Sequence, residues 1–80
     1  MKLPRSVNGG SLAKSLQKFG YRATRQTGSH IRLTCDVPNQ HHITIPNHDP
    51  IRAGTLSAIL SDVASRLKMP KENLVRQLFG

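Results

Sequence analysis

Between positions 29 and 46 apolar and polar residues alternate twice. Ile31, Leu33 and Cys35 interleave with His30, Arg32 and Thr34, and Ile43 and Ile45 interleave with His42 and Thr44. Successive strand residues point to opposite faces, so both segments read as strands with one apolar and one polar side. Tyr21 to Gln26, Ser29 to Cys35 and Gln40 to Ile45 are accordingly predicted as three strands joined by hairpins into an antiparallel sheet. Setting Tyr21 and Ala23 on the apolar side with Leu33 and Cys35 pairs Ala23 with Leu33. That leaves a three-residue loop, Thr27–Ser29, in which Gly28 takes the positive φ such loops use. The same logic pairs Leu33 with Ile43 and Ile31 with Ile45 and leaves a five-residue loop, Asp36–Gln40. One face then carries Arg22, Thr24, Gln26, His30, Arg32, Thr34, His42 and Thr44. The other is apolar and needs helices over it.

Helical spacing flanks the sheet on both sides. Asn8 is a good N-cap, with Val7 before it and Leu12 after it placed as a hydrophobic staple, and Leu12, Leu16 and Phe19 continue the stripe until Gly20 closes the helix. Gly9 and Gly10 make its first turn soft enough to fray. Its outer surface carries Lys14, Gln17 and Lys18. Pro46 ends the third strand, Asn47 to Gly54 reads as a loop, and Thr55 is the expected N-cap of the main core helix, with Leu56, Ile59, Leu60, Val63 and Leu67 in one stripe. Pro70 fits the first turn of a terminal helix that packs back through Leu74, Leu78 and Phe79. The expected class is α+β, in the order α-β-β-β-α-α, with residues 1–80 as a single domain and the helices on one face of the sheet.

Eighty residues allow one small core and one site. Twelve lysines and arginines face four acids, a net charge of +8 that favours a polyanionic partner, nucleic acid before an acidic protein or a membrane. Phe19, Tyr21 and Phe79 are too few to build a base-stacking platform. The lone Cys35 turns inward with Ile31 and Leu33 and has no partner for a disulfide, as in a cytoplasmic protein. The N-terminal Met1-Lys2-Leu3-Pro4-Arg5 lacks the apolar run of a signal peptide, and no stretch has the length of a membrane span. The expectation is therefore a cytoplasmic protein without membrane contact. Histidines invite a zinc reading of His41, His42, His48 and Asp49, but adjacent strand residues face opposite ways, so His41 and His42 do not chelate one ion, and no metal or other cofactor is expected.

The helix ending in Gly20-Tyr21, then Arg25-Gln26-Thr27-Gly28-Ser29-His30, Ile45-Pro46-Asn47-His48, Gly54-Thr55-Leu56 and Ile59-Leu60, resembles the HicA toxin family over nearly the whole chain. Gly-Ser-His alone occurs often by chance. Its place in a hairpin, followed by Pro-x-His and Gly-Thr-Leu at family spacing, carries the resemblance. The chain departs from the family in its glycine-rich helix start and in the additional His41-His42 pair. The resemblance implies a fold like that of double-stranded-RNA-binding domains and the role of a type II toxin. Such a toxin is a metal-independent endoribonuclease, or mRNA interferase, that cuts mRNA through the histidine of the Gly-Ser-His segment, here His30, and so inhibits translation. It also implies a HicB-type antitoxin that covers His30, and the free toxin is expected to be monomeric.

Cutting an RNA phosphodiester without metal takes a base for the 2′-hydroxyl proton, an acid for the leaving 5′-oxygen and cations for the phosphorane charge. Histidine serves either proton role, because its ordinary pKa of about 6.5 leaves both forms available near neutrality. Arg32, on the same face two residues on, is a candidate phosphate ligand. Lys14, Lys18, Arg25 and the Gly28-Ser29 turn complete the candidate RNA-binding set. For the second proton-transfer group, His42 lies opposite Thr34 and about 13 Å from His30 at ~3.3 Å per residue, too far to share one phosphate. Position 46 is the one opposite His30, which ranks His48 second; the plainer role for His48 is fixing its loop. The alternative to an enzyme is a non-catalytic RNA-binding module of the double-stranded-RNA-binding type, and a third reading is an interaction subunit for an acidic protein.

Overall fold

The computed structural model describes residues 3–4 and 6–80; Met1, Lys2 and Arg5, part of the N-terminal segment read above, lie outside the described residues. The elements are α1 (Gly9–Leu16), continued by a 3₁₀ turn (Gln17–Phe19), β1 (Arg22–Gln26), β2 (His30–Cys35), β3 (His41–Pro46), α2 (Ala53–Leu67) and α3 (Lys71–Phe79). The strands form an antiparallel sheet in the order β1-β2-β3. This is the expected α+β architecture, an open three-stranded sheet in an arrangement consistent with that of double-stranded-RNA-binding domains. No helix of the described residues is long and apolar enough to cross a membrane.

The apolar stripes meet in one core. Leu12 and Leu16 of α1, Leu33, Cys35 and Ile45 of the sheet, Leu56, Leu60 and Val63 of α2, and Leu74 of α3 are all buried together. Asn8 caps α1 as its sequence position suggests, its Oδ1 accepting from the Ser11 amide at 2.7 Å. The first turn is held firmly instead of fraying: the Gly9 amide donates to the His48 carbonyl at 3.0 Å and the Ile51 amide donates to the Val7 carbonyl at 2.8 Å. Gly9 also sits where no larger residue fits, since a Cβ there would lie 2.5 Å from the Pro46 carbonyl oxygen. Gly20 closes the helical segment at φ 96°, a conformation that costs a residue with a Cβ.

The β2–β3 register is the expected one, with Leu33 opposite Ile43, Ile31 opposite Ile45 and His30 opposite Pro46. The β1–β2 register is not. Ala23 faces Leu33, but a β-bulge between Ala23 and Arg25 shifts the rest by one, so Arg25 faces Arg32 and Gln26 faces Ile31. An extra residue in one strand turns everything beyond it to the other side. Gln26 therefore leaves the polar face for the helix side, and Arg25 joins the polar face. The hairpin loop lengthens with the shift, and Gly28 has no need of a positive φ. The turn is closed by Thr27, whose amide donates to the His30 carbonyl at 2.9 Å while its Oγ1 accepts from the His30 amide at 3.1 Å. Ala23, expected in the core, is exposed, because α1 leaves the edge strand β1 largely uncovered.

Helix α2 starts earlier than expected. Arg52 holds the N-cap position without a side-chain bond, and Thr55 lies inside the first turn. The cause is Ile51, buried and tied to Val7, which anchors the chain so that the Arg52 carbonyl already accepts from the Leu56 amide at 2.8 Å. The helix ends on Lys68 at φ 56°, and Pro70 occupies the N-cap of α3 rather than its first turn.

Candidate active site at the start of β2

His30 opens β2 with an exposed side chain on the polar face of the sheet. Its backbone is fixed by Thr27 on one side and by the ladder to Pro46 on the other. Its ring is fixed by Ser29, whose Oγ lies 3.0 Å from Nδ1. A serine hydroxyl both donates and accepts, so it satisfies Nδ1 in either state of the ring. It donates to the bare nitrogen of one neutral tautomer and accepts from the N–H of the imidazolium. Nε2 of this exposed residue has no hydrogen-bond partner among the described residues and is free to give or take a proton.

The bulge supplies the cations. Arg25 and Arg32 are cross-strand partners, two residues from His30 along β2, and neither has an acidic partner among the described residues; the ion pairs there are Arg22 with Asp36 and Arg66 with Asp62. Like charges directly opposite one another in a sheet are destabilising, a cost that an anion lying between them removes. Arg22 is occupied differently, donating to Asp36 at 2.8 Å. That guanidinium, with Gln40, holds the Asp36 carboxyl below the usual carboxylate range.

His48 is exposed in the segment after β3 and lines a cleft with Pro46, Asp49, Pro50, Arg52 and Thr55. That cleft shares Pro46 with the His30 pairing. Its carbonyl, not its ring, fixes the turn, by accepting from Gly9. Lys14 lines a second groove, between α1 and β1, together with Gly10, Ala13, Gln17, Ala23, Gln26, Ile31 and Asn47. Lys18 is directed elsewhere, its Nζ donating to the Gln77 carbonyl at the end of α3 at 2.7 Å. Gly28 has open space around it, at the tip of the hairpin beside Ser29.

The remaining histidines part company as strand alternation requires. His41 is buried, its Nδ1–H donating to the Asn39 carbonyl at 2.8 Å, which leaves Nε2 to accept from the Tyr21 hydroxyl at 2.6 Å. Burial pushes the Tyr21 phenol up to about 12, with Cys35 and Asp62 adding to the rise. The parity that His41 shares with Ile43 and Ile45 accounts for its burial. His42 lies on the polar face and completes a row across three strands, Thr24 Oγ1 to Thr34 Oγ1 at 2.9 Å and Thr34 Oγ1 to His42 Nδ1 at 2.8 Å. The role of Gln26 and Asn47 as groove residues was not legible, because no sequence signal marks the bulge.

Comparison with curated proteins and with solved structures gave no match. A family model described as the HicA toxin of bacterial toxin–antitoxin matches residues 11–64, more than half of the chain, and that span runs from α1 through the sheet, His30 and His48 into α2. The chain therefore belongs to the HicA toxin family of bacterial toxin–antitoxin systems.

Proposed function

We propose that this toxin is a metal-independent endoribonuclease that cuts mRNA in the cytoplasm with His30 as a proton-transfer residue and so inhibits translation. The observation that carries the reading is the His30 ring, exposed on a polar sheet face, held at Nδ1 by Ser29 Oγ at 3.0 Å and flanked by Arg25 and Arg32, which have no acidic partner among the described residues. In the reaction the ribose 2′-oxygen loses its proton and bonds to phosphorus, the bond from phosphorus to the 5′-oxygen breaks, and the leaving oxygen gains a proton. A cyclic 2′,3′-phosphate and a 5′-hydroxyl result. His30 performs one of the two proton transfers through Nε2, and His48 or water performs the other. Arg25 and Arg32 bind the phosphate and meet the charge of the phosphorane, with Lys14, Gly28 and Ser29 as further RNA contacts.

The antitoxin that a family member implies is, in this reading, a HicB-type protein that covers His30 and presents acidic groups to Arg25 and Arg32. The test is cleavage of an end-labelled single-stranded RNA by wild type and by His30→Ala, both shown to be folded by circular dichroism, with and without EDTA. Loss of general acid–base catalysis costs ~100-fold or more, so His30→Ala falls by at least that factor and EDTA has no effect. Equal cleavage by both proteins refutes the role of His30. Binding without cleavage by either favours the non-catalytic RNA-binding module.

A further inference from the structure

We propose that the groove between α1 and β1 is a nucleobase subsite that seats an unpaired adenine of the RNA beside the bond cut at His30; the proposal rests on the endoribonuclease reading. The groove has a volume of about 360 Å³, near the lower end of the ~300–1,000 Å³ of ordinary ligand sites, which suits one nucleotide. Ala13 and Ala23 give it small walls. Four polar side chains converge on it, Lys14, Gln17, Gln26 and Asn47, and none is hydrogen-bonded to another described residue.

The groove joins the candidate active site at two points. Gln26 pairs with Ile31, the residue after His30, and the Asn47 amide donates to the Ser29 carbonyl at 2.9 Å. A strand of RNA passing around the Thr27–Ser29 turn therefore meets His30 on one side and the carboxamides on the other. The placement depends on the bulge: without it Gln26 would lie on the polar face and the groove would lose one of its three carboxamides.

The chemistry of the lining selects the ligand. A carboxamide offers a donor and an acceptor side by side, the pattern that pairs bidentately with the N6 and N7 edge of adenine. Cytosine is read by a carboxylate, and the lining holds none; guanine is read by arginine or lysine, and against three carboxamides the lining holds no arginine and one lysine, Lys14. Sequence-specific RNA recognition works on unstacked single-stranded bases read at these same edges. Lys14, the one cation of the lining, takes the phosphate of the seated nucleotide as a point charge.

The test uses end-labelled oligouridines with one adenosine, cytidine or guanosine at the centre. Wild type cuts beside adenosine roughly tenfold faster than within uridine, the discrimination expected of one bidentate pair. Gln26→Ala and Asn47→Ala, both at exposed positions, bring that ratio toward one while circular dichroism stays unchanged. A ratio that is one in wild type, or that survives both substitutions, overturns the proposal. Titration of the ¹⁵N-labelled protein with adenosine monophosphate and with uridine monophosphate gives an independent reading. The side-chain NH₂ signals of Gln17, Gln26 and Asn47 shift with the first and not with the second. If no oligomer is cut, the endoribonuclease reading fails while this titration still decides the groove: adenosine-selective shifts uphold it and their absence overturns it.

Discussion

Gly9 and Gly10 are neighbours in the first turn of α1, yet alanine is expected to have opposite effects at the two positions. In a helix alanine is favoured over glycine by about 0.5–1 kcal/mol, and at Gly10 nothing opposes that gain, since the nearest atom to a new Cβ is Asn8 Oδ1 at 3.5 Å, an ordinary contact. At Gly9 a Cβ would stand 2.5 Å from the Pro46 carbonyl oxygen and 3.0 Å from Asn47 Cα. Carbon–oxygen contacts run at ~3.3–3.6 Å, so the overlap is close to 1 Å, and both obstacles are backbone. Relieving it means displacing the chain from Pro46 to His48, a strain of ~1–3 kcal/mol, and weakening the Gly9 to His48 bond, worth ~0.5–1.5 kcal/mol. After the alanine gain is subtracted, Gly9→Ala is destabilising by about 1–3 kcal/mol. At ~4–8 °C per kcal/mol for a domain of this size, Tm falls by about 5–20 °C, whereas Gly10→Ala raises it by a few degrees. Thermal unfolding followed by circular dichroism checks both. Equal or parallel shifts for the two variants would refute the close approach of α1 to the end of β3.

Tyr21→Phe leaves the buried His41 Nε2 without its donor and costs about 1–3 kcal/mol, measured by urea unfolding. The Tyr21 phenol ionises near 10 in an unfolded chain and about 12 in the folded one, so the folded state holds the proton more tightly. Its contribution is complete below pH 10 and is lost as pH rises toward 12, an alkaline loss of stability that Tyr21→Phe lacks. For Asp36 the sign is reversed: its stabilising contribution is present above the ordinary carboxylate range and fades as pH falls through its lowered pKa, and Arg22→Ala moves that pKa upward in a carboxyl NMR titration. Thr34→Val breaks the bonds to Thr24 and His42, whose freed groups reach water, and costs about 0.5–1.5 kcal/mol in urea unfolding. A larger loss would show that the row across the sheet acts as one network.

What the sequence determined by itself was everything that rests on short-range periodicity. The alternation around Ile31, Leu33, Ile43 and Ile45 sets the β2–β3 register, because a slip by one residue would send every apolar side chain to water. The same parity separates His41 from His42, and local capping chemistry places Asn8 and Gly20. The Gly-Ser-His segment at the head of a strand, with the motifs after it, marks the family. Tertiary structure decided the rest. The bulge in β1 follows from how an edge strand, exposed along its whole length, fits its neighbour, and with few apolar residues in Arg22–Gln26 no burial pattern penalises the shift. It put Arg25 beside Arg32 and moved Gln26 into the groove. The N-terminus of α2 was settled at Ala53 by the burial of Ile51 against Val7, a contact between residues far apart in the chain. Gly9 was read as a weak helix start, because a helix propensity is a local quantity and the Pro46 carbonyl that requires glycine there comes from another element.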